Sequence, residues 1–267
     1  MSARDDVEQR FVFDEVAELY ERTRPRYPDS FVGAVCRRSC LSPGARILEI
    51  GCGPAIATPG FAERGYAMVC LEPGPRMAEL ARRRLAGHAD VSVVTTTFET
   101  WSAPPGADGR FDLVLAAQSF HWVDPAVGFS KAAAVLRPEG SIAIIANIPQ
   151  PGESPVRATL DRVYASFGPA FAEHARASGV ATRARLDELL DRAPEFGGVE
   201  VVRQIWTAQY DTAAYLALME TQSDHRMLPV ETRRELLAAV AGAIDAHGGS
   251  IAVDYEARLL SARKVVA

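Results

Sequence analysis

The chain has 267 residues, enough to bury one large core or a core plus a cap. Apolar residues make up 48% and charged residues 24%, which excludes a largely disordered chain. The net charge of -5 argues against a general nucleic-acid binder, because affinity for phosphate backbones comes mainly from surplus Lys and Arg.

No apolar run approaches the roughly 18 residues of a membrane span, and the opening MSARDDVEQR is charged and unlike a signal sequence, so a cytoplasmic, membrane-free protein is expected. Four cysteines (Cys36, Cys40, Cys52 and Cys70) are too few for a disulfide framework in a chain this long. Cys36 and Cys40 have the spacing of one helix face, with no paired histidine ligands, and no metal site is expected.

In chain order, FDEVAELYERTR places Val16, Leu19 and Tyr20 at helical spacing before Pro25 and Pro28 break the pattern, and a second helix is expected over 30–40. SPGA is a turn, and ARILEIGCG reads as a buried strand entering a glycine loop. Helices over 60–64, 77–86 and 127–136 then alternate with strands over 67–71, 91–95, 111–117 and 141–147. The alternation predicts an α/β fold: a Rossmann-like, doubly wound, seven-stranded and mostly parallel sheet with helices on both faces.

PQPGESP interrupts this rhythm, and helical patterns at 155–167 and 183–192 suggest an inserted cap. Strands resume at 199–210 and 251–262, with helices at 213–220 and 231–246 between them. One domain is therefore expected, built from an N-terminal helical lid (1–41), a cofactor-binding core (42–148), a cap insertion (149–196) and a C-terminal part (197–267).

The loop after the first strand carries the ligand argument. Gly51 and Gly53 allow a tight turn and close approach of backbone to a ligand. Ile56 stands where a dinucleotide fingerprint needs Gly or Ala, and Glu49 would repel a pyrophosphate. Glu72, nineteen residues after Gly53, closes the next strand where a carboxylate can accept both hydroxyls of a ribose. A nucleoside with an amino-acid tail and no phosphates satisfies all three, and S-adenosylmethionine is such a molecule. The chain has no GxxxxGK[ST], GxSxG or HExxH motif.

LEIGCGPA, LEPGPRMAELARRR, VVTTTFETW and FDLVLAAQSFHWVDP resemble the successive cofactor motifs of class I S-adenosylmethionine-dependent methyltransferases of the type 11 group. FDEVAELYERTRPRYP resembles that group's N-terminal lid, and METQSDHRMLP with YEARLLSARK its C-terminal part. The resemblance implies that Glu49 with the backbone of Gly51, Cys52 and Gly53 holds the methionine part, and that Glu72 takes the ribose. It implies further that Pro73 and Met77 flank the adenine, Phe98 and Glu99 close its edge, and Ala117 with Gln118 lines the sulfonium end. The chain departs from the group at Ala55, where a third glycine is usual, and at Thr97, where Asp is frequent.

Methyl transfer asks mainly for in-line positioning and a dry site, so catalytic residues leave a weak trace in sequence. His121, just past the strand 111–117, is a candidate base or acceptor contact, with a packed corner around Trp122 and Asp124 as the open alternative. His225 is the second candidate. Tyr20, Arg24 and Tyr27 form a proline-punctuated stretch that could fold over the cofactor, with Arg24 pairing its carboxylate. Trp101 and Trp206 read as core, and His88, His174 and His247 as surface residues.

The expected activity is methyl transfer to a small-molecule acceptor, at oxygen first and at nitrogen or carbon next. Two alternatives stay open: a cyclase or lyase that uses the same sulfonium without methyl transfer, and a non-catalytic binding module that retains the fold. Partners beyond the acceptor are not specified by any heptad pattern, and a homodimer is no more than a working assumption.

Overall fold

In the computed structural model, residues 14–103, 109–168, 188, 190 and 193–265 are described. Helix α1 (Ala17–Thr23) follows a single 3-10 turn (Asp14–Val16), and α2 (Asp29–Arg38) starts directly behind Pro28. Then come β1 (Arg46–Ile50), α3 (Thr58–Ala62), β2 (Ala67–Glu72), α4 (Pro75–Leu85), β3 (Val91–Thr95) and β4 (Phe111–Ala117). A 3-10 turn (Phe120–Trp122) leads into α5 (Pro125–Val135) and β5 (Leu136–Pro149). The chain continues through α6 (Pro155–Ser166), β6 (Phe196–Asp211), α7 (Thr212–Met219), α8 (Ser223–Arg226), α9 (Val230–Asp245) and β7 (Ser250–Lys264).

The seven strands lie in the order β3-β2-β1-β4-β5-β7-β6. All neighbours up to β5 are parallel, and β7 runs antiparallel between β5 and β6. The mostly parallel, doubly wound sheet anticipated from the alternation is therefore present. Strand β1 (RILEI) is buried at every position after Arg46, as a strand covered by helices on both faces must be. On β4, Leu113 and Leu115 enter one apolar layer while Val114 and Ala116 enter the opposite one, following the two-residue period.

Local chemistry sets the element ends. Asp124, Ser154 and Asp211 accept backbone N–H bonds from Ala126, Arg157 and Ala214 and so cap α5, α6 and α7; a proline follows the first two, where a missing N–H costs nothing. Helix α4 buries Met77, Ala78, Ala81 and Leu85 and carries Arg82, Arg83 and Arg84 in its last turn, the sign the helix dipole favours.

Three expectations need correction. Helix α2 ends at Arg38, so Cys40 (φ +49°, exposed) lies beyond it and does not share a helix face with the buried Cys36. The helix expected to reach residue 136 stops at Val135, and Leu136 already pairs with Phe111, which lengthens β5 to 14 residues. The C-terminal strands are also longer than expected, at 16 and 15 residues, because β6 and β7 pair along nearly their whole length. Of the helix expected over 183–192, only Glu188 and Leu190 are among the described residues, and His174 falls outside them.

A third apolar cluster lies at the C-terminal side of the sheet, where Leu160 and Tyr164 of α6 meet Tyr215, Leu218 and Met219 of α7, Leu236 and Val240 of α9, and Tyr255 of β7. This cluster anchors the helices that face the candidate site. No helix among the described residues is long and apolar enough to cross a membrane.

Candidate cofactor and acceptor site

In an open parallel sheet, ligands gather at the carboxyl ends of the strands where the strand order reverses, which here is the gap between β1 and β4. The Gly51–Gly53 loop leaves β1 at that point, and Ala117, Gln118 and Ser119 leave β4 beside it. Ser119 Oγ donates to the carbonyl oxygen of Ile50 and ties the two exits together. A Cβ on Gly51 would stand 2.6 Å from the Ser119 Cβ, and its φ of +66° is left-handed, so both space and backbone require glycine.

A cavity of about 380 Å³ opens here, within the range of small-molecule sites. Of the residues singled out in sequence, Tyr20, Arg24, Gly51, Cys52, Gly53, Glu72, Pro73, Met77, Phe98, Glu99, Ala117, Gln118 and His121 line it. Glu49 and His225 do not. Glu49 is fully buried behind the wall, accepting a 2.8 Å hydrogen bond from Thr58 Oγ1. His225 is also buried, but its neighbour Asp224 reaches the cavity.

Glu72 does more than face a ligand. Its Oε2 accepts from the Gly53 N–H and its Oε1 from the Gly74 N–H, both at 2.8 Å, so one carboxylate holds the loop after β1 against the loop after β2. A Cβ on Gly74 would lie 3.0 Å from Glu72 Oε1 and 2.8 Å from Asp14 Oδ1, so only glycine admits both carboxylates. A carboxylate oxygen can accept more than one hydrogen bond, so holding these loops does not by itself bar a ligand hydroxyl. Asp14 accepts from the Met77 N–H at 2.9 Å, which brings the N-terminal segment onto the first turn of α4.

Ala55, the departure from the type 11 pattern, has a φ of +62°. The loop therefore takes the left-handed turn at this position even without glycine, at a strain of about 1–2 kcal/mol. At the other departure, Thr97 Oγ1 accepts from the Thr100 N–H at 3.2 Å and caps a turn at the rim of the cavity.

Arg24 reaches over the cavity from the segment after α1. Its guanidinium lies 4.6 Å above the Tyr20 ring and donates to the carbonyl oxygen of Thr221, while its Nε is buried with no partner among the described residues. A fixed guanidinium with a spare donor suits a carboxylate. Glu49 Oε1 is likewise buried without a partner. Burial above all, offset by the Thr58 and Cys70 hydrogen bonds and reinforced by Glu72, pushes Glu49 up to about 7. Burial, then Tyr20 and Glu49 nearby, holds the Tyr27 phenol well above its usual range, so it stays protonated.

Sequence reasoning missed the far side of the cavity, where Asn147, Pro149, Leu218, Gln222, Asp224 and Tyr255 converge. These residues come from β5, β7 and the α7–α8 segment, and only their packing brings them together. Trp206 supports this wall, donating from Nε1 to Asn147 Oδ1 at 3.1 Å and stacking on Tyr255 at 5.2 Å. His121 is exposed at the rim, its ring 4.7 Å from Trp122. The expected core position holds for Trp101, which is 7% exposed.

The sheet order, the glycine loop after β1 and the acidic residue ending β2 are similar to those of S-adenosylmethionine-dependent methyltransferases, and the chain has their Rossmann-like fold. Residues 48–144 match the family model described as a methyltransferase domain. An uncharacterized methyltransferase of Mycobacterium tuberculosis is 35% identical over 137 residues, 51% of this chain and 51% of that one. The demethylmenaquinone methyltransferase of Tropheryma whipplei is 28% identical over 144 residues, 51% of this chain and 58% of that one. This chain thus aligns with about half the length of these curated relatives. A structure from Anaeromyxobacter dehalogenans, provisionally described as a type II methyltransferase, shares the fold with a TM-score of 0.63 at 21% identity, covering 90% of this chain and 97% of that one.

Proposed function

We propose that this protein transfers the methyl group of S-adenosylmethionine to a small-molecule acceptor, oxygen being the first choice of atom and nitrogen or carbon the next. The observation that carries the reading is the Glu72 carboxylate, fixed by the Gly53 and Gly74 amides at the rim of a cavity that lies at the strand-order reversal. When bound, the cofactor supplies a methyl group on a sulfonium sulfur, open to in-line attack.

The chain's own groups position and dry the site. Glu72 accepts the ribose hydroxyls, Met77, Pro73 and Phe98 sandwich the base, and Glu99 closes its edge. Arg24 takes the methionine carboxylate, while the Gly51–Gly53 backbone, Cys52 and Glu49 behind it serve the rest of the methionine part. Ala117 and Gln118 face the reacting end, and Tyr20 with Arg24 excludes water from above. His121, at the rim, is available to hold a proton of the acceptor. The acidic balance of the chain and the name of the Tropheryma whipplei relative favour a small molecule over RNA or DNA.

Among the alternatives, the cyclase or lyase reading rested on the altered loop. The left-handed Ala55 keeps that loop in the shape glycine would give it, which supports ordinary methyl transfer.

Calorimetric titration with S-adenosylmethionine and S-adenosylhomocysteine, on the wild type and on Glu72→Ala, tests the proposal. The expected result is binding that Glu72→Ala abolishes, with S-adenosylmethionine remaining intact by mass analysis until an acceptor is added. Release of methylthioadenosine without an acceptor would point to the lyase chemistry instead, and absence of binding by the wild type would overturn the reading.

A further inference from the structure

Behind the part of the cavity wall made by Phe98 and Glu99 sits an ammonium group. Lys131, in the middle of α5, does not line the cavity. Its Nζ donates to the carbonyl oxygen of Glu99 at 3.0 Å and to that of Trp101. The same nitrogen stands 5.3 Å from the centre of the Phe98 ring, within cation–π range. Burial lowers the Lys131 ammonium from its usual value, and the nearby Glu99 opposes that shift.

The segment Lys131 holds is a single turn after β3. The Trp101 N–H donates to the Thr97 carbonyl oxygen at 3.0 Å, and the Thr100 N–H to Thr97 Oγ1 at 3.2 Å. A turn this short cannot satisfy its later carbonyls from within, and an ammonium matches both their hydrogen-bonding need and their partial charge. Thr96, Thr97, Phe98 and Glu99 face the cavity, whereas Trp101 is buried edge-on against Phe111, with ring centres 6.3 Å apart. Trp101 therefore anchors the turn in the core, and Lys131 fixes it from the side of α5. A second tie runs from the Asp124 N–H, at the start of α5, to Glu99 Oε1 at 3.1 Å.

We propose that Lys131 is a positioning residue of the cofactor site: it holds the Phe98–Glu99 turn where a purine base packs against Phe98, and so contributes to affinity at the nucleoside end without touching the cofactor. This inference rests on the cofactor reading above, in which Phe98 and Glu99 bound the base. The physical reason is preorganisation, since a wall already fixed in the empty site need not be ordered when the ligand arrives. Without the ammonium, two carbonyls facing α5 lose their donor, and the turn relaxes toward water and takes Phe98 with it.

The test is calorimetric titration of the full chain with S-adenosylhomocysteine and with 5′-methylthioadenosine, which keeps the nucleoside and lacks the amino-acid part. Lys131→Met preserves the apolar stem and removes the ammonium; it should weaken both ligands by the same factor, about tenfold. Lys131→Arg, which can still donate to two carbonyls and lie over the ring, should restore most of the affinity, and Lys131→Gln, with a single amide donor group, less of it. In a double-mutant cycle, Phe98→Ala combined with Lys131→Met should bind within about twofold of Phe98→Ala alone, because the lysine acts through the wall that Phe98 forms. A merely structural lysine would give losses that multiply. Should Lys131→Met fail to fold by circular dichroism, the order wild type, Arg, Gln in the affinity for 5′-methylthioadenosine carries the test.

Unaltered affinity in a folded Lys131→Met or Lys131→Gln protein would overturn the proposal. So would losses that multiply in the cycle with Phe98→Ala, or a loss for S-adenosylhomocysteine that 5′-methylthioadenosine does not share, which would place the effect at the amino-acid end. Failure of the cofactor reading shows separately and earlier, as a wild type that does not bind S-adenosylhomocysteine at all, and it would remove this proposal with it.

Discussion

Arg24 and Thr221, 197 positions apart in the chain, meet at 2.5 Å between a guanidinium nitrogen and a carbonyl oxygen above the cavity. The N-terminal segment is held at further points by Arg226 to Glu15 at 2.7 Å and Arg84 to Glu21 at 2.9 Å. Both ends of the chain thus cover a site whose floor belongs to the middle. Arg24→Ala is expected to weaken S-adenosylmethionine binding by about tenfold to a hundredfold, the weight of a charge-assisted hydrogen bond. Lysine at the same position should restore only part of it, because an ammonium cannot bond the Thr221 carbonyl and a carboxylate in one plane. Calorimetry on the three proteins, with circular dichroism confirming an unchanged fold, checks both statements.

Replacing Ala55 by glycine should stabilise the protein. The left-handed φ of +62° costs alanine about 1–2 kcal/mol, and the extra chain entropy of glycine offsets part of this. A net gain of about 0.5–1 kcal/mol is expected in urea unfolding. An unchanged or lower midpoint would show that the loop is unstrained.

Gly51→Ala should have the opposite effect. Its new Cβ would stand 2.6 Å from that of Ser119, and the left-handed φ of +66° adds strain. A loss of about 3 kcal/mol is expected from overpacking and backbone strain together, with the hydrogen bond from Ser119 to Ile50 disrupted. Thermal unfolding measures the loss, and cofactor affinity should fall with it because the two strand exits move apart.

Glu49 predicts a pH dependence of stability. Its folded-state pKa of about 7 lies above the unfolded value of 4.5, so between these values the folded protein binds more protons than the unfolded chain. This contribution is complete below pH 4.5, declines as pH rises to about 7, and is constant above it; the span amounts to roughly 3 kcal/mol. Glu49→Gln should flatten the difference in unfolding midpoint between pH 5 and pH 8. A wild type and variant with parallel pH profiles would contradict the assignment.

Much of the fold was legible because its signals are local. The βα alternation, the glycine pair after RILEI and the acidic end of AMVCLE each depend on a few adjacent residues, and each sits where the pattern places it. Boundaries were less legible, as at Leu136, because pairing with Phe111 rather than any local preference turns that residue from helix to strand. Gly51, Gly53, Glu72 and Met77, which local motifs assign to the cofactor, line the cavity.

His225 shows where sequence reasoning stopped. The histidine of SDHRMLP drew attention as a candidate, yet the buried ring faces Tyr164 and the adjacent Asp224 is what the cavity meets. No local pattern distinguishes these two neighbours, since which of them points inward depends on how α7 and α8 dock against β7 and α6. By itself, then, the sequence determined the sheet, the glycine loop and the class of ligand, all written in short-range spacing. Tertiary structure alone decided the far wall of the cavity and the position of Arg24 against Thr221, because these join residues far apart in the chain through the packing of β5, β7 and the helices around them.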